Sequence, residues 1–142
     1  MNIQSPVKSI MTETVISIGP KDNLRKIQEI FTDNQFHHLP VLDKNQIVVG
    51  ILSRGDYQKV REVFSILKDF GVEMASTNFV ENLLVDDIMK KPVVTIDEHA
   101  TIKYALDIFK ENLFHAMPVV DENGKLTGIL STYDLLFAAY NK

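Results

Sequence analysis

The sequence has 142 residues, of which 45% are apolar and 24% are charged, proportions that are typical of a globular domain. It contains no cysteine, which excludes disulfides and thiolate chemistry, and its net charge of −4 argues against a broad nucleic-acid-binding surface. The N-terminus lacks a basic-then-apolar leader pattern and no apolar run approaches a membrane span, so we predict a soluble, cytoplasmic protein.

The chain contains an internal repeat with a period of 78 residues. The segment Gly-Ile-Leu-Ser-x-x-Asp begins at Gly50 and again at Gly128. Residues 7–57 align with residues 85–135 without a gap, and 19 of these 51 positions are identical. The chain is therefore a tandem duplication.

The size of the repeats predicts how they are organised. Each copy has roughly 50–60 residues, a size whose core alone is marginal, so the copies are expected to share buried surface. We predict one domain over residues 1–142. Its parts are repeat 1 (7–57), a helical linker (58–84) and repeat 2 (85–140).

The first half of each copy predicts a strand and then a helix. The β-branched residues of Val15–Ile18 favour a strand. Asn23 suits the N-cap of the helix that follows, and Thr101 has the same place in copy two. Asn34 and Asn112 suit a left-handed residue that ends the helix.

A short buried strand with a proline comes next in each copy. Because Pro40 cannot donate a hydrogen bond, we expect it at the start of its strand or on a sheet edge. A turn, which in copy two is Asn123-Gly124, leads to a returning strand, Ile47–Leu52 in copy one. A helix ends each copy, so the predicted fold class is α/β (α+β) with two β-α-β-β-α repeats.

The last helix differs between the copies. In copy two it is short and covers Leu135–Tyr140. In copy one, apolar residues at helical spacing continue from Val60 to Phe70 and stop at Gly71. We interpret this continuation, which includes the polar break Ser76-Thr77-Asn78, as a linker packed on the repeats and a candidate subunit interface.

Four motifs recur in the same order in both copies. They are Val-x-x-Ile-Met, Val-x-Ser/Thr-Ile, Phe-His-x-x-Pro-Val-x-Asp and Gly-Ile-Leu-Ser-x-x-Asp. This ordered set resembles a tandem pair of cystathionine-β-synthase (CBS) domains, also called a Bateman module. The resemblance implies repeats packed sheet to sheet about a pseudo-twofold axis, adenosine-containing ligands in two clefts between them, and association into homodimers.

Asp56 and Asp134 are the first candidate binding residues. With Ser53 and Ser131 as N-caps, an acid three residues further on fits a capping box. The resemblance implies instead that each carboxylate accepts hydrogen bonds from ribose hydroxyls, for which a charged acceptor is well suited. We favour ligand contact over capping alone.

Phosphate binding is expected beside these carboxylates. The backbone N–H groups after Ser53 and Ser131 lie at a helix N-terminus, which attracts phosphate. Arg54 would add a permanent cation in copy one, where copy two has Thr132. A solvated surface arginine is an equal alternative for Arg54.

The histidines form a second group of candidates. For His37 and His115 we favour neutral side chains that satisfy backbone groups. The resemblance implies phosphate contact at the next position, His38 or Ala116, so His38 is the better phosphate candidate. His37 and His38 would point to opposite faces of an extended strand, so we predict no metal site.

An adenine ring needs a flat apolar slot. Four apolar residues suit such a slot, namely Ile16, Val94, Phe36 and Phe114, although a plain core role is at least as expected for the two phenylalanines.

The resemblance implies that each cleft takes its apolar strand from one repeat and its Ser-x-x-Asp from the other. One cleft would combine Ile16, Phe36, His37 and His38 with Ser131, Thr132 and Asp134. The other would combine Val94, Phe114, His115 and Ala116 with Ser53, Arg54 and Asp56. We expect the tighter, pH-insensitive phosphate binding in the cleft that contains Arg54.

The resemblance to CBS pairs implies a stand-alone regulatory module that binds an adenine nucleotide such as AMP, ADP or ATP, or S-adenosylmethionine, and signals to another protein. The alternative is a ligand-free structural module that acts through dimerisation. We expect no required cofactor and no direct contact with nucleic acid or membrane. The sequence has no P-loop, no Gly-x-Ser-x-Gly, no His-Glu-x-x-His and no cysteine nucleophile, so we predict that it is not an enzyme.

Overall fold

The computed structural model describes residues 1–72, 77–112 and 114–141, and Ser76 of the predicted polar break lies outside them. Helices and strands alternate along the chain, which confirms the predicted α+β class. Within these residues the α-helices are α1 (Leu24–Asp33), α2 (Arg54–Asp69), α3 (Thr77–Glu81), α4 (Val85–Ile88), α5 (Ile102–Asn112) and α6 (Thr132–Tyr140). The strands are β1 (His38–Leu42), β2 (Val48–Ser53), β3 (Ile96–Asp97), β4 (Ala116–Val120) and β5 (Leu126–Ser131), and a 3-10 helix covers Val7–Ser9. No helix within the described residues is long and apolar enough to cross a membrane.

The chain forms two compact units that do not coincide with the two sequence repeats. The first unit contains residues 17–44 and 49–92, and the second unit contains residues 1–16, 45–48 and 93–142. The opening segment of repeat 1, residues 7–16, therefore belongs with the body of repeat 2. The corresponding segment of repeat 2, residues 85–92, belongs with the body of repeat 1. We call these two the exchanged segments.

Equivalent hydrogen bonds hold the two exchanged segments. The N–H of Val7 donates to the carbonyl of Ala100 over 2.8 Å, and the N–H of Val85 donates to that of Asp22 over 2.8 Å. Both valines are fully buried, so each segment is anchored by one apolar side chain and one backbone bond. The duplication is thus preserved in the way each segment joins its unit.

Helix α1 begins as the sequence predicts. Asn23 accepts the N–H of Lys26 over 3.0 Å, and Thr101 accepts the N–H of Tyr104 over 3.1 Å at the start of α5, so both predicted N-caps are confirmed. The buried faces of the two helices also follow the apolar spacing. They consist of Leu24, Ile27 and Phe31 in α1 and Ile102, Ala105 and Phe109 in α5.

The helix ends differ from the prediction. Asn34 is extended, with φ −137°, and its side-chain amide donates to the carbonyl of Ile30 over 3.0 Å. Asn112 is the last residue of α5 and donates to the carbonyl of Ile108 over 2.8 Å. The left-handed conformation predicted for both asparagines was therefore wrong, because their side chains satisfy a free carbonyl of the last turn directly.

Pro40 is the third residue of β1, an edge strand of the two-stranded sheet β1-β2, so its predicted edge position is confirmed. Pro118, the third residue of β4, lies in the central strand of the order β3-β4-β5. The carbonyl of Pro40 accepts the N–H of Ile18 over 3.0 Å, and the carbonyl of Ile18 accepts the N–H of Leu42 over 2.8 Å. Parallel pairing can therefore continue on one side of each proline.

The prolines also shorten the first strand of each repeat. The next parallel bond would need an N–H at position 40, directed at Ile16, and proline has none. The strand predicted for Val15–Ile18 is accordingly reduced to a single bridge between Ile18 and Val41. In repeat 2 the equivalent strand β3 begins only at Ile96, which pairs with Val119.

The second sheet places the start of α6 beside the start of β4. Strand β4 runs parallel to β3 and antiparallel to β5, with Ala116 opposite Ser131 and Val119 opposite Gly128. Strand β5 therefore delivers Ser131, the last strand residue, next to the loop that contains His115. The first unit has its own sheet of β1 and β2.

Helix α2 continues without interruption through the predicted boundary between repeat 1 and the linker. It ends at Asp69, and Gly71 has φ +76°, which confirms the predicted stop. In its second half Phe64 packs against Phe79 of α3, with ring centres 5.8 Å apart. Val63 and Ile66, in contrast, are exposed, and Phe70 is 82% exposed.

Candidate functional site

The two Ser-x-x-Asp segments form equivalent half-sites, one in each unit. Ser53 accepts the N–H of Asp56 over 2.9 Å at the start of α2, and Ser131 accepts the N–H of Asp134 over 3.2 Å at the start of α6. Both serines are therefore N-caps, as predicted. The two aspartate side chains, in contrast, have different surroundings.

The carboxylate of Asp134 is satisfied on both oxygens. Its Oδ2 accepts the backbone N–H of Ser131 over 2.8 Å and the hydroxyl of Ser131 over 3.0 Å. Its Oδ1 accepts the hydroxyl of Thr12 over 3.0 Å. Asp134 thus completes a capping box, and a ligand hydroxyl would have to compete with these internal donors.

The carboxylate of Asp56 has a free oxygen. Its Oδ2 is buried and has no hydrogen-bond partner among the described residues. Nζ of Lys90 lies 3.7 Å from this oxygen. A buried carboxylate oxygen without a donor is unfavourable, so this oxygen retains the capacity to accept a hydrogen bond.

Thr12 and Lys90 reach the two aspartates from equivalent backbone positions. Thr12 exchanges hydrogen bonds with Ile129 of β5, 2.8 and 2.9 Å long, and Lys90 exchanges them with Ile51 of β2, 2.9 and 3.2 Å long. The exchanged segment therefore adds one residue to the sheet directly before each Ser-x-x-Asp.

Close approach of the exchanged segments requires the duplicated glycines. A Cβ atom at Gly128 would lie 2.7 Å from the carbonyl oxygen of Thr12, and one at Gly50 would lie 2.5 Å from the Sδ of Met89. No side chain fits at either position without movement of its neighbour. The two glycines of the repeated motif thus serve the assembly of the half-sites.

Arg54 donates most of its hydrogen bonds within its own repeat. Its guanidinium donates to the carbonyls of Phe31 (3.0 Å), Asn34 (2.8 Å) and Phe36 (2.9 and 3.1 Å). These four bonds use four of the five N–H groups of an arginine. Arg54 is therefore neither a solvated surface arginine nor a freely available cation, and it holds together the end of α1 and the loop before β1.

The histidines contribute backbone contacts at the same place. The carbonyl of His37 accepts the N–H of Arg54 over 2.8 Å, and that of His115 accepts the N–H of Thr132 over 2.9 Å. Both histidine side chains are exposed, whereas His38 is half-buried at the start of β1. The described residues contain no group of three His, Cys, Asp or Glu side chains that could hold a metal ion.

The apolar candidates fall into different environments. Phe114 packs edge-on against Phe109, with ring centres 5.8 Å apart, and contacts the core of the second unit. Val94 is 43% exposed, and Ile16 and Phe36 are half-buried. The first unit brings together Phe36, His37, His38, Ser53, Arg54 and Asp56, and the second unit contains Ile16, Val94, Phe114, His115, Ser131, Thr132 and Asp134.

Both sequence repeats match the model of one protein family. The model of the CBS domain matches residues 7–62 and 85–141, which include both sequence repeats and most of the chain. The chain belongs to the CBS-domain family. Its half-sites are therefore the Ser-x-x-Asp ends of two CBS repeats.

Similar proteins include one enzyme and two solved CBS proteins. Homoserine O-acetyltransferase of Methanobrevibacter ruminantium is 33% identical over 124 residues, which cover 82% of this chain and 25% of that protein. Protein MJ1225 of Methanocaldococcus jannaschii has a TM-score of 0.79 and 27% identity, with coverage of 98% of this chain and 49% of that one. CBSX2 of Arabidopsis thaliana, solved in complex with AMP, has a TM-score of 0.76 and 24% identity, with coverage of 96% and 97%. The chain spans between about a quarter and a half of the length of the first curated relatives that it matches.

Thr12 and Lys90 were not predicted from the sequence as site residues. A signal for them was present, since they are aligned positions directly after the Ile-Met of each CBS repeat and differ in charge. Their importance depends on the exchange of the opening segments, which brings each of them to the aspartate of the other repeat. The repeat pattern alone does not reveal that exchange.

Proposed function

We propose that this CBS pair is a regulatory module that binds an adenosine-containing ligand, with Asp56 as the acceptor for the ribose hydroxyls. The observation that carries the proposal is the buried Oδ2 of Asp56, which has no hydrogen-bond donor among the described residues. A ribose diol supplies two adjacent O–H donors, and hydrogen bonds from hydroxyls to a carboxylate are short and strong. A bound ribose would therefore satisfy an oxygen that the described residues leave unsatisfied.

The fold supports the choice of ligand class. CBSX2, which shares this fold, was crystallised with AMP, so adenosine compounds are the first ligands to test. We propose that Ser53 supports the site as the N-cap of α2. Arg54 acts in this proposal by fixing the loop that contains Phe36 and His37, since its own N–H groups are largely bound.

The Asp134 half-site is expected to bind a ligand more weakly. A ribose at Asp134 would have to replace donors from Ser131 and Thr12 that are already in place. Exchanging one set of hydrogen bonds for another yields little net free energy. We therefore propose that the Asp56 half-site fills at lower ligand concentration, with Asp134, Thr132 and His115 forming a low-affinity site.

Calorimetric titration of the full chain with adenosine, AMP, ADP, ATP and S-adenosylmethionine tests the proposal, with GMP as the control for base selectivity. The Asp56→Asn variant keeps the size of the side chain but removes the charged acceptor, and we expect it to weaken binding by about tenfold or more. Asp134→Asn is the matched control, with a much smaller effect on the tight site. Equal effects of the two substitutions, or no binding of any adenosine compound, would exclude this function.

Uncovered apolar helix faces support self-association as a second property. In α6 the residues Tyr133, Leu136, Phe137 and Tyr140 are exposed at the spacing of one helix face. We propose that a second copy of the chain covers this face in a homodimer. A helix face with four exposed large apolar residues is unusual for a monomer, and identical copies provide matching surfaces.

The regulated partner is proposed by analogy with the relatives. Because similar sequence lies within proteins named homoserine O-acetyltransferase and inosine-5′-monophosphate dehydrogenase, we propose that this CBS pair acts on an enzyme rather than as one. Ligand binding would favour one arrangement of the module and so change the surface that the enzyme contacts.

A further inference from the structure

The half-sites differ in the charge that stands opposite the aspartate. Thr12 and Lys90 lie 78 residues apart and make the same pair of backbone hydrogen bonds to their sheets. Thr12 presents a neutral hydroxyl that is bound to Asp134. Lys90 presents an ammonium group to Asp56, so the side chain, and not the backbone, distinguishes the two half-sites.

Lys90 is held loosely. Its Nζ lies 3.7 Å from Oδ2 of Asp56, beyond the ~2.7–2.9 Å of a charge-assisted hydrogen bond, and its side chain is 71% exposed. An exposed ion pair of this kind contributes little to stability. The adjacent Lys91, in contrast, lies 3.0 Å from Oδ1 of Asp86. The ammonium group of Lys90 therefore remains available to a ligand that reaches Asp56.

A cation near Asp56 would favour a phosphorylated ligand. In a 5′-nucleotide the phosphate lies at the opposite end of the ribose from the 2′- and 3′-hydroxyls, so with the ribose bound to Asp56 the phosphate would not lie against the carboxylate. A loosely held ammonium group on a long side chain can turn from the carboxylate to the phosphate and donate hydrogen bonds to its oxygens. Lysine suits the task because its charge sits on a flexible stem with three donors.

We propose that Lys90 is the phosphate-contacting residue of the Asp56 half-site and makes that half-site selective for 5′-phosphorylated adenosine over adenosine. The inference rests on the proposed function of Asp56 and adds the residue that contacts the phosphate. Arg54, which the sequence singled out for this role, is bound to backbone carbonyls, and Lys90 takes the role from the exchanged segment. The Asp134 half-site has Thr12 in its place and lacks this selectivity.

The test compares the dissociation constants of adenosine and AMP for three forms of the full chain, measured by calorimetry at one ionic strength. For the wild type we expect AMP to bind about tenfold or more tightly than adenosine. Lys90→Thr, which introduces the residue of the other repeat, should reduce this ratio to about twofold or less. Lys91→Ala removes a neighbouring charge that is paired with Asp86 and should leave the ratio as in the wild type.

The outcomes separate this inference from the proposed function. If AMP and adenosine bind equally to the wild type, or if Lys90→Thr keeps the full ratio, Lys90 does not read the phosphate, although Asp56 still binds ribose. If Lys91→Ala lowers the ratio as much as Lys90→Thr does, general surface charge is responsible and the assignment is overturned. If neither adenosine compound binds the wild type, the proposed function fails and this inference falls with it.

Discussion

The guanidinium of Arg54 lies over the ring of Phe31, 4.7 Å from its centre, and donates a hydrogen bond to the carbonyl of the same residue. Phe31 belongs to the last turn of α1, where carbonyls lack partners within the helix. One arginine from the start of α2 therefore closes the end of α1 through both its charge and its N–H groups. The role of Arg54 is therefore structural, so its loss should lower the stability of the fold.

Replacement of Arg54 by alanine should destabilise the protein. The substitution leaves the carbonyls of Phe31, Asn34 and Phe36 without their donor and removes the contact with the ring. We expect a loss of about 2–3 kcal/mol in the free energy of unfolding, measured by urea denaturation. Lysine at this position should recover only a small part of the lost stability, since its ammonium group cannot reach the three carbonyls as the planar guanidinium does.

The matched control for Arg54 is Arg25→Ala. Arg25 forms an exposed ion pair with Glu81, 3.0 Å long, and its loss should cost less than about 1 kcal/mol. If the two arginine variants are equally stable, Arg54 does not cap α1. In that case its N–H groups would be free for a ligand after all.

The bond between Thr12 and Asp134 should be measurable as a coupling. Thr12→Val keeps the shape of the side chain and removes its hydroxyl, so Oδ1 of Asp134 loses its donor. We expect a loss of about 1 kcal/mol in unfolding free energy, and a double-mutant cycle with Asp134→Ala, which removes the acceptor, should give a coupling of about 0.5–1.5 kcal/mol. Thr14→Val, at an exposed threonine, is the control. Additive effects of Thr12→Val and Asp134→Ala would show that the bond is absent in solution.

Local signals predicted the beginnings of the helices well. Asn23, Thr101, Ser53 and Ser131 are N-caps because their side-chain oxygens meet backbone N–H groups within three residues of the chain. Pro40 lies on an edge strand as predicted, but the shortening of the neighbouring strand was not predicted, because it depends on a partner strand. A proline removes one ladder bond, and whether that ends a strand at an edge or shortens a neighbour is decided by the pairing.

The candidate site was predicted in its residues but not in its contacts. The Ser-x-x-Asp motif is local, and its position at the helix start follows from the sequence. Thr12 reaches Asp134 across 122 residues, and that distance in sequence is closed only when the opening segment joins the other repeat. Arg54 was misjudged for a similar reason, because its carbonyl partners lie 18–23 residues earlier, at the end of α1 and in the loop before β1.

The duplicated glycines should respond unequally to alanine. At Gly128 the new Cβ meets a backbone oxygen, that of Thr12 at 2.7 Å, and the strand must move. At Gly50 the nearest atom is the flexible sulfur of Met89 at 2.5 Å. We expect Gly128→Ala to lower the unfolding free energy by about 2–3 kcal/mol, and Gly50→Ala by less, in urea denaturation.

Gly55→Ala is the control for these two variants. Its Cβ would lie 3.8 Å from the hydroxyl of Ser53, an ordinary contact, and it lies in the first turn of α2. Alanine there should raise stability by about 0.4–1 kcal/mol, because the unfolded chain loses freedom. A loss at Gly55 as large as that at Gly128 would show that close approach of the exchanged segment is not what the glycine provides.

The proposed homodimer should depend on the apolar face of α6. We expect the wild type to sediment as a dimer in analytical ultracentrifugation, and Leu136→Glu to shift it to a monomer, since a buried unpaired charge is strongly unfavourable. Glu111→Lys, a charge change on an exposed position of α5, is the control. A wild type that remains monomeric at high concentration would contradict the proposal, as would a dimer that tolerates Leu136→Glu.

Burial raises the pKa of the Tyr57 hydroxyl above its ordinary value of 10.0, with the Arg61 cation lowering it and the Glu81 carboxylate raising it by smaller amounts. The folded protein therefore keeps this proton at a pH where the unfolded chain releases it, so stability is present below pH 10 and falls as the pH rises from 10 towards the raised pKa. Tyr57→Phe cannot lose a proton, and its melting temperature should fall less steeply than that of the wild type between about pH 9 and 11.5. Tyr140→Phe, at a side chain that is 83% exposed, should follow the wild type. If Tyr57→Phe also follows the wild type, the hydroxyl ionises equally in the folded and unfolded states and is not shielded by the core.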